Sequence, residues 1–331
     1  MPILLAAVGQ TARASFYDSI VTECSQTQGS PPATAAESVR RQGMPAVRIV
    51  YVGSSGPLSV MPLQALLDQG AGLCAVAQRS GEWPAVRKGR LETITEHTGS
   101  VGALAGLHDL PVIPLDDWPH AVDQLRQLAP DVILVSCFAQ RLPANVLTLP
   151  VHGCFNLHPS LLPAYRGPDP LFWQFREGTA NYGISWHRMS KKFDAGAVVA
   201  RAAVTMPDGV SGAQCAMLLG EAANTLLENL LRELERGILL ERVQDEARSS
   251  YQGFPRQKDF DVSPSWSARR LYNFMCATRD RGRYYRCTIE GRSFRLLRAR
   301  SWQAGGFATT LVSGNSITFA CQGGTVTADF M

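Results

Sequence analysis

The stretch 131–138 limits the possible folds more than any other part of the chain. Asp131 leads into Val132-Ile133-Leu134-Val135, and the run continues through Ser136 and Cys137 to Phe138 with no polar face. A strand of this kind is stable when it is covered on both sides, as in a parallel sheet held between helices. The flanking sequence agrees. Val47-Arg48-Ile49-Val50-Tyr51-Val52 is a short β-branched run that stops at Gly53-Ser54-Ser55-Gly56-Pro57 and gives way to helical periodicity over 58–67. Residues 73–77 and 112–113 read as strands, and 117–128 as a helix with Val122, Leu125 and Leu128 on one face. Residues 154–158, 183–187 and 197–204 supply further strands. A long helix then follows: Ser211 and Gln214 have capping-box spacing, Leu218, Leu219, Ala222, Leu226, Leu230 and Leu234 form an apolar stripe, and Gly237 can end it. Strands alternating with helices predict an α/β fold with a doubly wound, Rossmann-like, mostly parallel sheet.

After residue 240 the pattern changes. Residues 266–277 predict a short helix, 284–289 and 293–299 flank the turn Glu290-Gly291-Arg292, and 316–321 and 325–330 flank Gly323-Gly324. Short strands with glycine turns predict a small C-terminal β-barrel, OB-like in kind. With 331 residues, more than one domain is expected. The expected division is a flexible extension over 1–45, where Pro31-Pro32 sits in Ser-, Thr-, Gln- and Ala-rich sequence, a larger domain over 46–240, and the barrel over 241–331.

Hydrophobic residues at 45% and charged residues at 18% exclude wholesale disorder. No apolar run approaches the roughly 20 residues of a membrane helix, and the apolar opening 3–8 lacks the basic stretch of a signal peptide. A cytoplasmic protein with no membrane partner, acting as a monomer, is expected. The eight cysteines include no CxxC pair, and His97, His108, His120 and His152 lack ligand spacing, so buried thiols and no metal are expected. Charge is uneven: residues 1–250 hold 20 Lys and Arg against 23 Asp and Glu, whereas 251–331 hold 12 against 5.

Chemistry-bearing residues concentrate between 156 and 196. Asn156 and His158 are two apart on a predicted strand, so their side chains share a face. Pro159-Ser160-Leu161-Leu162-Pro163 and Tyr165-Arg166-Gly167 form an irregular turn at that strand's carboxyl end, where open α/β sheets bind ligands. Asp194-Ala195-Gly196 follows in a polar loop that can bring its carboxylate beside His158. An amide that donates to a developing oxyanion, an imidazole that moves a proton and a carboxylate that holds it suit acyl transfer to an amine. Ser160 has no GxSxG elbow and reads as a turn hydroxyl bonded to backbone. Gly53-Ser54-Ser55-Gly56 matches neither a dinucleotide fingerprint nor a P-loop and reads as a tight turn.

From residue 47 to the C-terminus, the order of these motifs resembles the formyltransferases that use 10-formyltetrahydrofolate, and among them the enzymes acting on initiator methionyl-tRNA. The Ser-Leu-Leu-Pro element behind Asn156-Leu157-His158 is the specific part, supported by Ser59-Val60-Met61-Pro62, Pro130-Asp131 and Asp194-Ala195-Gly196. The resemblance implies catalytic roles for Asn156, His158 and Asp194. It places 10-formyltetrahydrofolate, as co-substrate, along the carboxyl end of the sheet, against Phe138, Ala139, Gln140, Leu142, Ser160, Leu161, Leu162, Pro163, Lys192 and Phe193. Arg166, Gly167 and His187 are expected to contact the acceptor, although His187, alone at a strand end, reads slightly better as a satisfied structural histidine. Where the family commonly has Tyr-Gly this chain has Phe138-Ala139, and its acid loop reads Asp-Ala-Gly instead of Asp-Thr-Gly.

Arg269, Arg270, Arg279, Arg281, Arg283 and Arg286 interleave with Tyr272, Tyr284 and Tyr285, a mixture suited to phosphate contacts and base stacking. The resemblance implies that this domain helps hold tRNA, so Arg269, Arg281 and Arg283 are expected to meet initiator methionyl-tRNA. Arg79, Arg87, Lys88 and Arg90 suit a second basic contact or a solvated loop equally. Three alternatives stay open at this level: transfer to a small amine such as an amino sugar or hydroxylated amino acid, hydrolysis of the donor, and a non-catalytic folate- or RNA-binding relative.

Overall fold

The computed structural model describes residues 47–80, 99–138, 140–306 and 309–331. The 1–45 extension, Ala139 and the basic residues at 87, 88 and 90 lie outside the described residues. The first sheet has seven strands in the order β3-β2-β1-β4-β5-β6-β7: β1 Ile49–Val52, β2 Leu73–Gln78, β3 Val112–Pro114, β4 Val132–Ser136, β5 Cys154–His158, β6 Gly183–Arg188 and β7 Val198–Ala203. Pairing is parallel from β3 to β5 and antiparallel for β5–β6 and β6–β7.

The apolar run behaves as its composition demands. Val132 and Leu134 join the core on one face together with Ile49, Tyr51, Phe155, Leu157, Ile184 and Trp186, while Ile133 and Val135 join the other with Val50, Val52 and Cys154. On the first face lie α1 Pro57–Asp68, α2 Val101–Leu107 and the 25-residue α6 Gly212–Arg236. On the second lie α3 Trp118–Leu128 and the single turn α4 Ala144–Leu147. The strand ends at Ser136, two residues before the periodicity suggests, because Cys137 turns into a left-handed conformation with φ of 53°.

A capping box fixes the start of α6: Gln214 N–H donates to Ser211 Oγ at 3.3 Å and Ser211 N–H to Gln214 Oε1 at 2.9 Å. Gly237 closes the helix at φ 66°. The buried face is Cys215, Leu219, Ala223, Leu227, Leu230, Leu231 and Leu234, rotated by about one residue from the expected stripe, so Leu218, Ala222 and Leu226 are only half-buried.

The second sheet is antiparallel throughout, with the order β10-β11-β12-β9-β8: β8 Tyr285–Ile289, β9 Arg292–Ala304, β10 Leu311–Ser313, β11 Ser316–Cys321 and β12 Gly324–Phe330. Bulges at Thr327/Ala328 and Asp329/Phe330 bend the β12–β9 pair. α7 Ala268–Thr278 packs Leu271, Phe274 and Met275 into a third core. That core also takes Phe172 and Phe175 of α5 Pro170–Glu177, together with Val210 and Cys215, so the C-terminal sheet shares buried surface with the elements beside the first sheet's carboxyl end.

Ser211→Ala removes the side-chain acceptor of the Gln214 N–H in the α6 cap, and urea unfolding is expected to show a loss of about 1 kcal/mol. A loss of no more than a few tenths, the cost of a neutral cap exchange, would contradict this account of how α6 begins.

Candidate active site

The antiparallel pairing of β5 with β6 builds the site. In its register Asn156 stands opposite His187 and His158 opposite Ser185, and because side chains alternate, all four point to one face while Leu157 and Trp186 point into the core. The expected convergence of Asn156 and His158 is present, and His187 joins them. Asn156 Nδ2 lies 3.1 Å from His187 Nε2. His187 Nδ1 donates to the Arg188 carbonyl at 2.9 Å. A carbonyl oxygen can only accept, so Nδ1 carries the proton of the neutral ring and Nε2 accepts from the Asn156 amide.

The same reasoning fixes His158, whose Nε2 donates to the Tyr165 carbonyl at 2.8 Å. Its Nδ1 lies 3.7 Å from Asp194 Oδ1, and His187 Nε2 lies 3.5 Å from the same oxygen. Asp194 Oδ2 accepts the Gly167 N–H at 2.9 Å. Burial pushes the His158 pKa below its ordinary value, against the pull of Asp194 and of the Tyr165 carbonyl. For Asp194 burial acts to raise the pKa, but His158, His187 and the Gly167 N–H together outweigh it and hold the carboxyl at about 2. The site therefore rests as a carboxylate beside a neutral His158.

Two loops carry these groups, and both are held by backbone contacts that a larger side chain would break. Asp194 sits at φ 51°, and a Cβ on Gly196 would lie 1.9 Å from the Arg188 carbonyl. Gly167, at φ 118°, would put a Cβ 2.0 Å from the Gln252 carbonyl. Gln244 Nε2 donates to the carbonyls of both Asp194 and Gly196 at 2.7 Å, and its Oε1 accepts from Arg166 Nη2 at 2.9 Å and Nε at 3.1 Å. Arg166 also reaches Glu246, and Ser250 Oγ accepts the Tyr165 N–H at 2.8 Å. Arg166, expected as an acceptor contact, is 6% exposed and serves instead as a brace between the two loops.

A cavity of about 280 Å³ opens at this end of the sheet. Asn156, His187 and Asp194 reach it, with Leu142, Leu147, Met189 and Phe193 giving it apolar walls and Arg141, Lys191 and Lys192 also lining it. The Arg141 guanidinium lies 4.3 Å over the Phe193 ring. Of the expected donor contacts, Leu142, Lys192 and Phe193 line this cavity. Phe138 turns away to pack edge-on against Trp118, with ring centroids 6.3 Å apart, and Gln140 is half-buried outside the lining. Ser160 and Leu162 are fully buried: Ser160 Oγ donates to the Ala164 carbonyl at 2.7 Å, and Ser185 Oγ donates to the Ser160 carbonyl at 2.7 Å. Leu161 and Pro163 are half-buried beside them and do not line the cavity. The Ser-Leu-Leu-Pro element thus sets the shape of the loop and does not wall the cleft.

The basic C-terminal stretch is organised differently from its charge count. Arg269 pairs with Asp208 at 2.7 and 3.0 Å, and Arg281 with Asp169. Arg286 pairs with Asp261 and Arg279 with Asp280, while Arg270 lies over Trp266 and donates to the Arg176 carbonyl. Tyr285 is core. Arg283 has no acidic partner among the described residues and donates to Gln257 Oε1 at 3.3 Å. Arg269 and Arg281 are paired because α7 and the turn after it lie beside Asp208 and Asp169, Arg269 at the surface and Arg281 half-buried. Among the described residues, no helix is long and apolar enough to cross a membrane, and no three His, Cys, Asp or Glu are grouped as metal ligands.

Comparison with known proteins gives this geometry its family. Residues 117–217 match the formyl transferase domain model. The chain is 34% identical over 231 residues to a methionyl-tRNA formyltransferase of Synechococcus elongatus, covering 69% of this chain and 68% of that protein. It is 33% identical over 219 residues to a methionyl-tRNA formyltransferase of Geobacter sulfurreducens, covering 65% and 67%. Among solved structures, the sugar 3N-formyl transferase WlaRD superposes with a TM-score of 0.62 at 14% identity, over 87% of this chain and 98% of that one. The methionyl-tRNA formyltransferase from Clostridium thermocellum superposes with a TM-score of 0.52 at 11% identity, over 77% and 93%. The chain belongs to the formyltransferase family and is a formyl-transferring enzyme.

Proposed function

We propose that the protein moves the formyl group of 10-formyltetrahydrofolate to a primary amine, the α-amine of initiator methionyl-tRNA, with Asn156, His158 and Asp194 performing the transfer. The observation that carries the chemistry is that the Asn156 amide and the neutral His158 imidazole share one strand face and meet the Asp194 carboxylate of the neighbouring loop, beside a cavity that Asn156 and Asp194 line. The acceptor rests on the two relatives named for methionyl-tRNA, whose likeness spans about two thirds of each protein. The cavity fits the donor's heteroaromatic ring in size and character, since Leu142, Leu147, Met189 and Phe193 offer apolar walls with polar groups at one end.

The donor supplies an activated formyl group on nitrogen. The amine must attack unprotonated. A bond forms between the amine nitrogen and the formyl carbon, the bond from that carbon to the donor nitrogen breaks, and the proton lost by the amine ends on the donor nitrogen. Asn156 offers the amide N–H not taken by His187 to the formyl oxygen as it gains negative charge. His158, neutral with its proton on Nε2, accepts the amine proton at Nδ1 and returns it to the leaving nitrogen. While it holds that proton the ring is flanked by Asp194 Oδ1 and the Tyr165 carbonyl, two acceptors that stabilise the imidazolium. Asp194 stays ionised throughout, as its low pKa requires.

One observation favours a second reading in which the chemistry is kept and the acceptor is an amino sugar. Arg269 and Arg281 are engaged in ion pairs within the protein, which leaves fewer cations for phosphates than the sequence offers.

Asn156→Ala is expected to lower turnover by about 10²–10³ with little change in the donor's KM; near-normal turnover would remove Asn156 from the oxyanion role. Acceptors are separated by salt. With methionyl-tRNA, KM is expected to rise steeply between about 50 and 200 mM salt, and Arg283→Ala to flatten that slope by about one phosphate contact. Transfer to a nucleotide-linked amino sugar, with none to methionyl-tRNA, would establish the second reading, and formate released without any acceptor would identify a hydrolase.

A further inference from the structure

Resting on the proposed oxyanion role of Asn156, we infer that His187 is a positioning residue: it holds the Asn156 amide in the donating orientation and releases it on protonation. His187 is 2% exposed and sits directly across the strand pair from Asn156. An asparagine amide can rotate to present either its oxygen or its NH₂ group, and only the NH₂ group can donate to a developing oxyanion. The Arg188 carbonyl, 2.9 Å from Nδ1, fixes the tautomer of His187 and leaves the Nε2 lone pair facing Asn156 Nδ2 at 3.1 Å. With the opposite amide orientation, two acceptors would face each other in a buried site. One N–H of Asn156 is therefore held by His187, and the other remains for substrate.

Protonation reverses the contact. A proton on Nε2 places two donors face to face at 3.1 Å, while the same proton has an anionic acceptor in Asp194 Oδ1 at 3.5 Å. The ring then pairs with Asp194, frees the amide to rotate, and draws on the carboxylate that His158 shares at 3.7 Å. The groups facing His187 are Asp194 from the acid loop and His158 from β5, whose ring lies 6.3 Å away at 82°. Lys191 and Lys192 line the same cavity, and the Arg188 side chain is turned to Glu241. Turnover should consequently fall on the acid side through His187 as well as through the base His158, even with donor and acceptor saturating.

The test uses His187→Leu, which cannot accept, and His187→Gln, whose amide oxygen can accept from Asn156 but does not titrate. His187→Leu is expected to lower kcat on the order of ten- to a hundredfold while leaving the donor's KM unchanged. His187→Gln is expected to recover most of that loss and to leave the shallower acid limb that His158 alone produces. ¹⁵N NMR of the histidine rings in the wild-type protein is expected to show His187 as the Nδ1–H tautomer at neutral pH. An Nε2–H tautomer, an unchanged kcat in His187→Leu, or an acid limb of kcat as steep in His187→Gln as in the wild type would overturn the inference. The tautomer is read without turnover, so a failure of the oxyanion reading, seen as normal turnover in Asn156→Ala, is distinguishable from a failure of the His187–Asn156 contact.

Discussion

The register of β5 against β6 is the constraint on which the site depends. Because strand side chains alternate, one register places Asn156, His158, Ser185 and His187 on one face and Leu157, Ile184 and Trp186 on the other. A slip of β6 by one residue would drive Ser185 and His187 toward the core and turn Trp186 toward the cavity. The apolar side chains enforce the correct choice, since Leu157, Ile184 and Trp186 are almost completely removed from water against α1 and α6. The hydrophobic pattern that stabilises the sheet is thus the same pattern that aligns an amide with an imidazole. Antiparallel pairing sets His187 opposite Asn156 and the end of β6 against the start of β5, and the loop that follows β6 folds back so that Asp194 reaches His158.

Electrostatics complete what the register begins. Among the described residues Asp194 is the one carboxylate whose oxygen faces both histidines, and its low pKa means that it stays charged at the cost of burial because two rings and one backbone N–H compensate it. Its loop would be poorly held without help, since Asp194 itself has a left-handed backbone. The help comes from Gln244, bonded to two carbonyls of the loop on one side and to Arg166 on the other. Arg166 belongs to the turn behind His158, so one arginine and one glutamine tie together the loops that carry imidazole and carboxylate. Their service is rigidity, the property a proton relay between fixed groups requires.

Much of this was legible in the amino-acid sequence, for reasons that can be named. The run from Val132 to Val135 allowed no other environment than a doubly covered strand, and β5 occupies residues 154–158 as expected because it alternates cleanly between core and site. The pairing of Asn156 with His158 followed from a spacing of two. His187 was harder, because its place opposite Asn156 depends on β6 running antiparallel; the same spacing of two between Ser185 and His187 was the available signal. Gln244 carried no local signal at all, lying 50 residues beyond Asp194 in a segment of mixed polarity. The arginines show the same limit: charge counts do not see that Asp208 meets Arg269 across 61 residues, or that Asp169 meets Arg281 across 112. The helices α2 and α5 escaped notice because Val-Gly-Ala-Leu-Ala-Gly-Leu has weak helical preference and because α5 is short and rich in aromatics.

The central claim is that the amide of Asn156 faces the oxygen of the transferred formyl group while His158 receives the proton of the attacking amine. A crystal structure of the protein with a stable formylated folate analogue tests this most directly. The account predicts the formyl oxygen within about 2.7–3.1 Å of Asn156 Nδ2, with the folate ring against Leu142, Met189 and Phe193. A formyl group directed away from Asn156, or a folate ring bound outside this cavity, would contradict it.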